Sequence, residues 1–152
     1  MSKDELAPRE GRGIPWSPPK LAILAQSAHH NRIHGWISLV ATNAALGGET
    51  HLFLTHAALK AFLEETLDSG PVDTGDAAYD RFYEQALENE RLPILSELLA
   101  QARARGSVKV YGCQASVILW RRYTPTQLER LDAVIGHSTF LTLASGMTLL
   151  AF

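Results

Sequence analysis

Cys113 is the only cysteine in the chain, and it closes the run Val108-Lys109-Val110-Tyr111-Gly112-Cys113, where a strand pattern gives way to helical spacing. A thiol at such a junction can face the unpaired N–H groups that open the next helix. Those groups and the helix dipole favour the thiolate, which is the nucleophilic form. Gly112 lacks a side chain beside it and permits close approach of a partner. A lone cysteine packed as a small hydrophobe produces the same sequence pattern, so both readings stand.

Six histidines supply the other reactive groups. Ser27, His29, His30, Asn31 and Arg32 follow one apolar run, and Thr55 and His56 follow a second. Gln114 and Ser116 follow Cys113, while His137 and Ser138 follow a fourth short run. His51 lies inside a strand pattern, and His34 falls in the first turn of a helix. His30 and His34 are four apart and share a helical face, so with His29, His56, His137 or Cys113 they could complete a tetrahedral zinc site. That spacing is no standard zinc signature, and the remaining ligands come from separate loops.

The elements that must position these groups alternate between two periods. Leu21–Ala25 is a continuous apolar run, the mark of a strand covered on both faces. Ile33, Trp36, Ile37, Val40 and Ala44 fall at helical spacing, and Gly47-Gly48 stops that helix. Residues 50–55 form a second strand pattern, and Leu59, Phe62, Leu63 and Leu67 line a second helix ended by Ser69-Gly70-Pro71. Tyr79, Phe82, Tyr83, Ala86 and Leu87 predict an amphipathic helix. Pro93 opens another, with Ile94, Leu95, Leu98, Leu99 and Ala102 inward and Gly106 as its stop.

Residues 108–112 are a third strand, followed by a short helix through Ile118 and Leu119. Thr124-Pro125-Thr126-Gln127 combines an N-cap, a proline at the first helical position and a capping-box glutamine. Residues 133–136 read as a fourth strand. Ser138 can cap a helix through Phe140, Leu141 and Ala144, and residues 147–152 read as a fifth strand. Strands alternating with helices predict an α/β fold: a three-layer α/β/α sandwich around a mainly parallel five-stranded sheet. In such sheets the binding crevice lies outside the carboxyl ends of the strands, where the polar residues named above collect.

Composition bounds the rest. The 152 residues suit one domain, expected over 20–152, after a Pro- and Gly-rich tail over 1–19. The formal net charge of −2 gives no electrostatic case for nucleic acid as a partner. Charge is uneven, because residues 64–90 hold nine acids against Arg81 alone. We read the segment at about 68–92 as an acidic helical insertion, a solvated excursion or a docking surface. One cysteine excludes an internal disulfide framework and fits a reducing compartment. With no signal-peptide pattern and no apolar run long enough to span a membrane, the expected location is the cytoplasm. There is no G-x-G-x-x-G loop, no P-loop and no G-x-S-x-G elbow, so no cofactor is expected. A single cysteine also leaves a peroxidase without an internal resolving thiol.

The apolar first strand, the Ala44-Ala45-Leu46-Gly47 helix ending, the segment Val108–Ser116 around Cys113 and the closing Phe140–Phe152 together resemble the DsrE/DsrF-like family of small sulfur-relay proteins, including members described as peroxiredoxin-like. The cysteine segment is the most specific of the four. The resemblance runs from about Lys20 to Phe152 and implies an oligomer of five-stranded domains. It also implies that Cys113 carries sulfur as a persulfide, taken from a donor protein and passed to an acceptor. From the residues alone, Arg32 is a candidate to stabilise the persulfide anion and His30 to move protons. Two other readings stand beside this one. The first is the zinc module of His30, His34, His56 and His137. The second is a non-catalytic oligomeric assembly component with Cys113 inert.

Overall fold

The computed structural model describes residues 16–152. The expected tail over 1–19 thus lies mostly outside the described residues, and Trp16–Pro19 are exposed and without regular structure. Twelve elements follow in the order β1 (Lys20–Ala25), α1 (His30–Ala45), β2 (Glu49–Leu54), α2 (His56–Leu63), α3 (Ala77–Glu88), α4 (Leu95–Ala104), β3 (Val108–Cys113), α5 (Gln114–Trp120), α6 (Pro125–Leu128), β4 (Ala133–Ile135), α7 (His137–Leu143) and β5 (Thr148–Ala151). The strands form one sheet in the order β4-β3-β2-β1-β5, and every neighbouring pair is parallel. This is the three-layer α/β arrangement that the alternating periods predict. Among the described residues no helix is long and apolar enough to cross a membrane.

Strand alternation divides the core. Ile23, Ala25, Leu52, Leu54, Val108 and Val110 point to one face, where they meet the apolar stripes of α1, α2 and α4. Ala22, Phe53, Tyr111 and Cys113 point to the other, where they meet Phe140 and Ala144 at α7. The first cluster holds 21 buried residues and the second six, so the two outer layers are unequal in strength.

Several boundaries depart from expectation for identifiable reasons. The second helix stops at Leu63, because Glu65 takes a left-handed φ of 60° that turns the chain; Leu67 is buried all the same. That turn delivers Asp68 to α4, where its carboxylate accepts the backbone N–H groups of Leu95 and Ser96. A cap brought from so far along the chain leaves no local pattern. The helix therefore starts after Ile94, which is 53% exposed rather than inward. Helix α7 is entered from Gly136 instead of Ser138, with His137 as its first residue. The capping box at Thr124 and Gln127 is present as read.

Candidate functional site

Parallel strands bring their carboxyl ends to one edge, and the loops there hold most of the candidate residues. A crevice of about 690 Å³ opens over β5, β1 and β2, lined among others by Ser27, His29, Arg32, His56 and Asp73. The Ser27 hydroxyl accepts the His29 N–H at 3.1 Å and is joined to the His29 ring Nδ1 at 2.8 Å, which fixes that imidazole at the crevice wall. The backbone of Asp73, another lining residue, is held by the Asn31 side chain through two hydrogen bonds, of 2.8 and 3.1 Å. Arg32 is exposed there, and among the described residues no carboxylate pairs with it.

His56, the first residue of α2, has a left-handed φ of 45°, which a side chain beyond glycine rarely adopts. Its N–H donates at 2.9 Å to the hydroxyl of Ser116, a buried residue of α5. One polar contact across 60 residues thus ties the β2 loop to the helix that follows Cys113.

Cys113 occupies the expected strand end but not the expected environment. It is the last residue of β3, and its backbone serves as the N-cap of α5, yet its side chain makes no capping hydrogen bond. Only 1% of it is exposed, and it packs with Phe53, Tyr111 and Phe140 beneath α7. The sulfur therefore lies in hydrocarbon rather than against the amides of α5. Gly112 does permit a close approach, but of Leu131: a Cβ at Gly112 would stand 2.6 Å from the Leu131 Cδ1.

The histidines disperse. His30 is 2% exposed, its Nδ1 is joined to the Tyr83 hydroxyl at 3.1 Å, and its N–H donates to the Pro71 carbonyl at 2.7 Å. Burial, with His34 nearby, holds its pKa below the usual imidazole value, partly opposed by Asp68. His30 therefore fastens the acidic segment to α1 and lines neither the crevice nor the cysteine's cluster. His34 shares its face, as the spacing predicts, but that face is filled by the Tyr83 ring, with centroids 6.4 Å apart. His137 stands edge-on to Phe53 at the start of α7, and His56 lies in the crevice. Among the described residues no three of His, Cys, Asp or Glu gather as a metal-ligand set.

One constellation escaped the sequence reading. On the α7 side of the sheet, Glu49 Oε1 meets His51 Nε2 at 2.8 Å, and His51 Nδ1 meets the Tyr111 hydroxyl at 2.9 Å, with the two rings stacked. The His51 bond, chiefly, holds the Glu49 carboxyl below its ordinary range. Burial, followed by Asp132 and Glu49, pushes the Tyr111 phenol up. The signal was a histidine on an apolar strand with a glutamate two residues earlier, on the same face. Its meaning depended on the β2–β3 register, which opposes His51 to Lys109 and puts Tyr111 one pleat further on. In comparisons with known proteins, the chain matches no family model and no curated protein.

Proposed function

We propose that this protein is a sulfur carrier that holds sulfur as a persulfide on Cys113. The observation that carries the reading is the position of Cys113. It is the chain's only thiol, at the carboxyl edge of an internal strand, roofed by the seven residues of α7. That roof is seated by only a small apolar cluster, and thinly packed elements open locally at lower free energy than the whole fold. Between openings the same hydrocarbon shields a persulfide from water and stray thiols.

In the charging step the Cys113 thiolate attacks the outer sulfur of a donor persulfide R–S–SH. The donor's sulfur–sulfur bond breaks, and R–S⁻ leaves and takes up the persulfide proton, giving Cys113–S–S⁻ and R–SH. An acceptor thiolate then attacks the outer sulfur, and Cys113 departs as thiolate; sulfur is transferred with no net oxidation. His30 is locked to Tyr83 and takes no part. Donor and acceptor are other proteins, and the carrier works in the cytoplasm as a homo-oligomer.

The 1% exposure of Cys113 favours a second reading, in which the sulfur only packs and the chain is an assembly component. The test is intact-mass spectrometry after incubation with sodium polysulfide. Addition of one or more sulfur atoms to the wild type, absent from Cys113→Ala, supports the carrier. An unmodified wild type under conditions where its α7 amides exchange supports the packing role.

A further inference from the structure

We propose that the carboxyl edge carries a binding site for a small organic anion with an apolar body, centred on His56. The crevice over β1, β2 and β5 and a separate groove of about 250 Å³ beside α5 have His56 in common as a lining residue. The two halves differ in chemistry. The crevice presents the guanidinium of Arg32 and the imidazoles of His29 and His56; the Asp73 carboxylate opposite already accepts the Gly75 N–H at 3.1 Å. The groove is walled by Leu119, Trp120 and Tyr123, and Leu119 is 75% exposed. Its lining cation, Lys60, is held by Glu64 at 2.6 Å, and both Lys60 and Arg122 lie over the Trp120 ring, so the proposed charge recognition is assigned to the crevice side.

His56 stands on the ridge between them, in a backbone conformation that only a surrounding structure maintains. Strain of that kind, held here by the buried Ser116 hydroxyl, collects at ligand sites. An exposed imidazole between a crevice that holds a guanidinium and an apolar groove suits a carboxylate whose body is aromatic or branched aliphatic.

The site is tested by ¹H–¹⁵N NMR titration of the full chain with phenylacetate, compared with its neutral isostere phenylacetamide and with acetate. We expect saturable shifts at Arg32, His56 and Trp120 with phenylacetate, and binding weaker by roughly tenfold or more for each of the other two probes. His56→Gly relieves the left-handed strain while removing the imidazole, and Arg32→Gln removes the charge. Each weakens phenylacetate binding about fivefold or more, with thermal stability unchanged or raised for His56→Gly. Equal affinity for phenylacetamide, shifts confined to other surfaces, or full affinity in either variant overturns the proposal. The probe contains no transferable sulfur, so the outcome is independent of sulfur transfer at Cys113.

Discussion

The two faces of the sheet are built from the same strands, yet they are solved differently. On the first face α1, α2 and α4 bury a continuous core that includes Trp36, Ile37, Leu52 and Leu59 at zero exposure. On the second, among the described residues, α7 packs over Phe53, Tyr111 and Cys113, and the Tyr111 hydroxyl leads out of that cluster into the polar Glu49–His51–Tyr111 chain. The contrast teaches a division of labour. One face holds most of the buried core, and the other, among the described residues, is covered by a single seven-residue helix.

Breaking the strong face costs most. Trp36→Ala should destabilise the protein by about 3–5 kcal/mol in denaturant unfolding, since a fully buried indole leaves a cavity. Phe140→Ala removes the residue that stacks on Phe53 at 4.6 Å and should cost about 3 kcal/mol or somewhat less, because the thin layer can collapse. This second variant sharpens the comparison: Cys113 alkylation under native conditions should accelerate well beyond what its global stability allows. If alkylation merely tracks global unfolding, the two faces open together and the contrast fails. Hydrogen exchange measures it independently, with α7 amides exchanging through local opening and α1 amides only through global unfolding.

Smaller effects report on how the layers are joined. Asp68→Ala should cost about 1 kcal/mol, because it strips the distant cap from α4. His30 has a depressed pKa, so the folded state resists its protonation. Stability tied to it is full above the unfolded value near 6.5 and declines as pH falls through the lower folded value. His30→Gln should flatten that acid limb in urea titrations between pH 7 and pH 5. Glu49, similarly depressed from 4.5, adds stability that is lost only at still lower pH. Its side chain is 44% exposed, so solvent screening keeps the contribution to roughly a few tenths of a kcal/mol.

Much of this architecture was legible residue by residue. The run Leu21–Ala25 announced a doubly covered strand, the stripe from Ile33 to Ala44 announced α1, and Thr124-Pro125-Thr126-Gln127 wrote out its own capping box. Such features are local: hydrophobic period and cap chemistry act within a few residues, so order in sequence suffices to read them. The site was less legible. The positions of Arg32, His56 and Cys113 at the sheet's carboxyl edge followed from alternation alone, but the direction in which each side chain points did not.

Amino-acid order by itself determined the five strands, their parallel sense and the edge where polar groups gather. Only the folded chain decided that Cys113 faces hydrocarbon, that Tyr83 occupies the space between His30 and His34, and that His51 bridges Glu49 to Tyr111. The physical reason is range. Period and capping are properties of neighbours, whereas burial and side-chain pairing are settled by register between strands and by which helix lands on which face.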